Sequence, residues 1–182
     1  MKKILIILLA ILCIPISSYA ISLSTLENNP NRYLKVAEDS EAAEYIDICS
    51  IKSIRYSPPY YTLSAKLYFA KFADNRIYDY YEVFNYDYTY SPESTRKRVI
   101  SDMNQSYEPL DEDVIASRVN EALLQNSGIF SNIEALSCWT LDGHLKAKFP
   151  PGSQTWERTL AYNTRGYDKA NAVFKTYYKQ DF

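Results

Sequence analysis

Two neighbouring segments of this chain alternate between apolar and polar residues, and this period of two limits the possible folds more than any other feature. The first segment runs from Tyr60 to Phe72 and the second from Arg76 to Tyr90, with the turn-forming pair Asp74-Asn75 between them. Alternation places successive side chains on opposite faces of a β-strand, so each segment is predicted to be a long strand with one buried face. The short polar turn predicts that the two strands pair antiparallel.

The rest of the chain predicts more strands and two helices. A hairpin is expected from residues 32–37 and 44–49, and strand character returns over residues 133–149 around Asp142-Gly143. Apolar residues at helical spacing predict one helix between Asp111 and Asn126 and a second from Thr164 onward. Because helices do not alternate with strands, we expect an α+β fold. It would be an antiparallel sheet of about five to six strands with a central helix and a C-terminal helix packed on one face.

The first 20 residues have the pattern of a secretory signal peptide. Lys2 and Lys3 precede an apolar run over residues 4–16, and Ser18 and Ala20 are small residues before an expected cut after Ala20. The run is shorter than the roughly 20 residues that a spanning helix needs. We therefore expect an exported protein, periplasmic, cell-surface or secreted, with residues 21–182 as a single domain. No transmembrane segment is expected after cleavage.

The expected compartment predicts the state of the cysteines. Cys13 lies within the apolar run and would leave with it, so Cys49 and Cys138 remain in the exported chain. Compartments beyond the inner membrane are oxidising, which predicts one disulfide between these two residues. Two free thiols are the alternative.

Composition argues against several classes of function. The net charge is −2, and clustered cations are what nucleic-acid binding requires, so no nucleic-acid partner is expected. The one basic cluster, Arg96-Lys97-Arg98, is predicted to lie in a solvated loop. The four glycines are isolated, which leaves no phosphate-binding loop, and one histidine with two distant cysteines lacks metal-ligand spacing. We expect no cofactor, no metal and no catalytic motif.

Tyrosine is the most suggestive residue type, because 18 are present and most of them cluster between residues 56 and 90. A tyrosine ring is rigid and apolar with a polar tip, which suits both recognition surfaces and the packing of sheets. The residues predicted to bind a ligand are Tyr60, Tyr61, Tyr78, Tyr80, Tyr86 and Tyr88. Burial of the strand face from Tyr78 to Tyr90 under the helices is the competing interpretation.

Residues 44–51 contain the pattern Tyr-x-Asp-x-x-Ser-Ile, and residues 54–61 lead into the tyrosine-rich strands. These segments resemble the exported bacterial surface-adhesin E family. The resemblance covers about residues 32–90 and, more loosely, residues 164–182. It implies an antiparallel sheet with the terminal helix packed across one face, and a role in binding host matrix.

We therefore expect an exported binding protein of the bacterial envelope or surface, with adhesin-like recognition of a protein or glycan through its tyrosine-rich strands. One alternative is a structural or assembly component of the cell envelope. Another is a small exported hydrolase that uses acids among Asp47, Asp79, Glu82 and Asp87. Such an enzyme would need two carboxylates in one cleft, roughly 5 to 10 Å apart for glycoside hydrolysis.

Overall fold

The structure, a computed structural model, describes residues 20–182 and contains an open antiparallel sheet with four helices. The strands are β1 (Tyr33–Glu38), β2 (Ala42–Ser57), β3 (Tyr60–Lys71), β4 (Arg76–Asp87), β5 (Ile129–Trp139), β6 (Leu145–Lys148) and β7 (Thr155–Thr159). The helices are α1 (Leu23–Glu27), α2 (Pro92–Gln105), α3 (Glu112–Gln125) and α4 (Arg165–Tyr178), and Tyr88–Tyr90 form a 3-10 turn. The predicted α+β class is confirmed, with seven strands where five to six were expected. The predicted signal peptide lies outside the described residues, apart from Ala20.

Strands β1 to β5 lie side by side in chain order, and the far edge of β5 is shared by β6 and β7. Strand β7 was not predicted, because all five of its residues are exposed and its sequence carries no clear alternation. Strand β1 covers only the first part of β2, since the last bond between them joins the N–H of Ile48 to the carbonyl of Arg32. Residues 49–57 of β2 therefore form a free edge within the described part of the chain.

Helix α4 covers one side of the sheet, which we call the helix face. The helix begins where the sequence predicts, with the Thr164 hydroxyl accepting a hydrogen bond from the N–H of Tyr167 at 3.3 Å. Its buried side packs onto apolar side chains of β2 to β5 and builds the main core. The opposite side, the open face, is covered by α1 and residues near it only at one end, around Tyr45 and Tyr68.

Helices α2 and α3 form a hairpin with a small core of its own, made by Val99, Met103 and Ile115. Helix α3 is the predicted central helix, and the Asp111 carboxylate caps its first N–H groups. Helix α2 corrects the prediction of a solvated loop around Arg96-Lys97-Arg98. Its start signals are present in the sequence, because Ser91 caps the helix and Pro92 occupies its first position.

The predicted disulfide is wrong, since Cys49 and Cys138 are both free in the described part of the chain. Cys49 lies on β2 and Cys138 on β5, with β3 and β4 between them. Three strand spacings amount to about 14 Å, whereas a disulfide requires Cα atoms within about 7 Å. Burial raises the pKa of the Cys138 thiol, while Cys49 is exposed.

Among residues 20–182, no helix combines the length and the apolar character that crossing a membrane would require.

Candidate functional site

The predicted tyrosines divide between core and surface. Tyr80 and Tyr86 are buried on the helix face, and Tyr86 is only 2% exposed. The Tyr86 hydroxyl donates to the Ala170 carbonyl of α4 at 2.8 Å, and burial raises its pKa well above the usual value. Tyr61 and Tyr88 are half-buried and contact the ring of Phe174, with a centroid distance of 5.5 Å for Tyr61. For these four side chains the structure supports packing under the helix.

Tyr60 and Tyr78 remain accessible at two different pockets. Tyr60 is 45% exposed at the start of β3, where the guanidinium of Arg55 lies over its ring at 5.3 Å from the centroid. Tyr78 is half-buried on the helix face, near the other end of the sheet. Tyr60 lines what we call the tyrosine pocket, and Tyr78 lines what we call the charged pocket.

The tyrosine pocket is a trough of about 360 Å³ on the open face. Its floor is one row of side chains in register across five strands: Arg55, Thr62, Asn85, Phe130 and Thr159. Tyr60, Tyr90 and Asn126 border the row. The trough therefore combines aromatic rings with neutral amides and hydroxyls, while Arg55 and Asp87 are the only charged residues that line it in the described part of the chain.

Several polar atoms of this trough retain hydrogen-bonding capacity. The Thr62 hydroxyl donates to Oδ1 of Asn85 at 3.0 Å, and the N–H of Gly128 donates to Oδ1 of Asn126 at 2.9 Å. Both contacts use the amide oxygens, so the two NH₂ groups remain available as donors. Gly128 is required at the border, because its φ is +69° and a Cβ there would lie 2.7 Å from the Tyr90 Cβ.

The charged pocket lies on the helix face, between the first turn of α4, strand β7 and the sheet, with a volume of about 330 Å³. Lys169 of α4 is 2% exposed and reaches down to the sheet. Its Nζ lies 2.7 Å from Oε1 of Glu44 and 2.9 Å from Oε2 of Glu82. Arg158 of β7 contacts Oε1 of Glu82 at 3.2 Å. Buried Glu82, half-buried Glu44 and two cations therefore form one ion-paired cluster.

Tyr80 completes this cluster. Its hydroxyl donates to Oε1 of Glu44 and lies 3.3 Å from Nζ of Lys169. Burial, with the neighbouring Glu44 charge second, raises the pKa of Tyr80 well above its usual value, so the hydroxyl stays a donor at neutral pH. Sequence reasoning named Tyr78, Tyr80 and Glu82 but not the ion-paired cluster, although one signal of it was present. Glu82 and Lys169 occupy positions on the buried side of their elements, where apolar residues are the rule.

The acids considered for a hydrolase do not converge. Asp47 and Asp79 lie on the open face, paired with Arg32 at 2.9 Å and with Lys66 at 2.8 Å. Glu82 lies on the opposite, helix face, in the charged pocket's ion-paired cluster. The fourth acid, Asp87, caps the 3-10 turn through the N–H of Thr89. Within the described residues, no group of three His, Cys, Asp or Glu side chains is arranged to hold a metal ion.

Comparison with family models, with curated proteins and with solved structures gives no match to this chain.

Proposed function

We propose that this chain is an exported binding protein of the bacterial envelope or surface, and that its tyrosine pocket recognises a neutral glycan. One observation carries the proposal. The exposed rings of Tyr60 and Phe130 lie beside amides and hydroxyls on a face of the sheet that none of the helices in residues 20–182 covers at that end.

The chemistry of the trough suits a sugar chain. Aromatic faces pack against the apolar C–H surface of a pyranose ring, and tyrosine does so with little loss of side-chain entropy. Amide and hydroxyl groups such as those of Asn85, Asn126 and Thr62 donate to and accept from sugar hydroxyls. The trough volume of about 360 Å³ is in the range of small-ligand sites. A highly charged ligand would find few counter-charges there.

The resemblance to the surface-adhesin E family supports recognition outside the cytoplasm. An antiparallel sheet with a terminal helix across one face is the architecture that this resemblance implies, and α4 packs on the sheet in that way. The predicted signal peptide supports export. A protein ligand is the competing partner, and a screen must include it.

The test is a glycan array probed with the purified protein, with matrix proteins on a parallel array. Tyr60→Ala and Phe130→Ala should each weaken glycan binding about fivefold or more, because interface energy concentrates in a few aromatic anchors. Tyr107→Ala is the matched control, since Tyr107 is 96% exposed at the turn between α2 and α3. Binding that all three variants retain, or that occurs only to matrix proteins, would contradict the glycan proposal.

The free edge of β2 favours a second candidate function, that of an envelope assembly component. Residues 49–57 present unpaired backbone groups, and Ile54 and Tyr56 on this edge are exposed. Such edges recruit further strands. Lys52 and Arg55 oppose pairing between two copies of the same edge, because like charges would meet. Co-purification with the protein and with Ile54→Lys from envelope extracts tests this role: an envelope protein retained equally by both, or by neither, would argue against it.

A further inference from the structure

The charged pocket is independent of the tyrosine pocket, because the two lie on opposite faces of the sheet. The ion pairs of the charged pocket leave both a hydrogen-bond acceptor and several hydrogen-bond donors available to a ligand. Oε1 of Glu44 receives both the Tyr80 hydroxyl and Nζ of Lys169, whereas Oε2 accepts no hydrogen bond from residues 20–182. This oxygen belongs to a lining residue and can accept from a ligand. The pocket therefore offers a carboxylate oxygen to a cation.

The same pocket also offers donors. Arg158 uses one nitrogen on Glu82, and Arg165 uses one nitrogen on Asp39 at 2.8 Å, although each guanidinium carries five N–H donors. Both arginine side chains are partly exposed at the pocket. The first turn of α4 lies beside them through Gly166, and a helix N-terminus carries partial positive charge. A planar guanidinium edge is the preferred partner of a carboxylate.

The charges around the charged pocket balance, and this limits the net charge of a ligand that can bind there. Lys169, Arg158 and Arg165 oppose Glu44, Glu82 and Asp39, and each is held in an ion pair. A ligand with a net charge would bring an uncompensated charge into a partly desolvated site, which is costly. A ligand that carries one positive and one negative group would leave the balance unchanged.

Much of the remaining lining is apolar. Phe69, Tyr78, Ile133 and Trp156 line the pocket, and Trp156 of β7 is 47% exposed at its mouth. The volume of about 330 Å³ is at the small end of ligand sites, which is enough for one compact molecule.

We propose that the charged pocket binds a small zwitterion whose ammonium and carboxylate groups sit on an apolar body, the chemistry of an apolar or aromatic amino acid. The ammonium group contacts Oε2 of Glu44. The carboxylate contacts the guanidinium groups of Arg158 and Arg165, and the apolar body packs against Trp156 and Tyr78. This second site does not rest on glycan recognition.

Isothermal titration calorimetry with phenylalanine and leucine tests the proposal on the purified full chain. Two analogues separate the charged groups: phenethylamine lacks the carboxylate, and 3-phenylpropionate lacks the ammonium. Phenylalanine should bind about tenfold or more tightly than either analogue, because each lost charge-assisted hydrogen bond costs at least that factor. Absence of binding to both amino acids at millimolar concentration, or equal binding of phenylalanine and its analogues, would overturn the proposal.

Variants locate the site. Trp156→Ala should weaken phenylalanine binding about fivefold or more, and Arg158→Lys, which keeps the charge but loses the planar fork, should do the same. Phe130→Ala is the matched control, since Phe130 is a similarly exposed aromatic residue on the other face of the neighbouring strand. It should leave phenylalanine binding unchanged, while Trp156→Ala should leave glycan binding unchanged. Equal losses in Phe130→Ala and Trp156→Ala would place the zwitterion outside the charged pocket.

Discussion

Replacing Lys169 with Met should destabilise the fold strongly, because it removes the cation between the buried carboxylate of Glu82 and the half-buried carboxylate of Glu44. Nζ of Lys169 lies 2.7 Å from Glu44 and 2.9 Å from Glu82, and the Glu82 side chain is completely buried. Removing one partner of a buried ion pair costs about 3–5 kcal/mol. For a domain of this size, such a loss lowers Tm by about 6–20 °C. Lys97→Met is the matched control, since its ion pair with Glu93 is exposed and screened by solvent.

Urea denaturation at neutral pH measures the loss, and one further result would support its cause. The double variant Lys169→Met with Glu82→Gln should be more stable than the sum of the two single losses predicts, by about 1–3 kcal/mol of coupling. If the free energy of unfolding of Lys169→Met lay within about 1 kcal/mol of the wild-type value, the reasoning would be refuted, because solvent would then be screening the ion-paired cluster.

Three further changes test other parts of the structure. Tyr86→Ala should lower the free energy of unfolding by about 3–5 kcal/mol through the cavity it leaves, whereas Tyr86→Phe should cost about 1 kcal/mol; equal losses in urea denaturation would contradict this burial. Hydrogen bonds from backbone N–H groups of the β1–β2 turn, and next from Arg165, lower the pKa of Asp39 from 3.8 to about 2. The ionised carboxylate therefore stabilises the fold above pH 3.8, and this contribution is lost as the pH falls toward 2. Asp39→Asn should therefore lower Tm at neutral pH and match the wild type near pH 2, and a difference that is constant with pH would argue against the linkage. In the folded protein a thiol reagent should label exposed Cys49 rapidly and buried Cys138 only on unfolding. Protection of both thiols until a reductant is added would instead indicate that they form a disulfide.

Local patterns in the sequence were sufficient to predict the long strands and the start of the last helix. Alternation predicted a strand over residues 60–72, and β3 spans Tyr60–Lys71. Apolar spacing predicted the last helix from Thr164 onward, and the structure shows Thr164 capping α4, with its hydroxyl accepting from an N–H only three residues away. Strand β7 escaped prediction, since a short, fully exposed edge strand is specified by its pairing with β5 and not by its own residues.

The sequence by itself determined the α+β class, the period of the strands and the expectation of export, because each rests on residues close together in the chain. Tertiary structure alone decided which tyrosines pack under α4 and which line a pocket. It also decided that Cys49 and Cys138 lie too far apart to bond. The charged pocket depends most on tertiary structure, because Lys169 and Glu44 are 125 positions apart in sequence and meet only when α4 packs across the sheet. Side-chain contacts over such separations follow from strand order and helix placement, which no local pattern encodes.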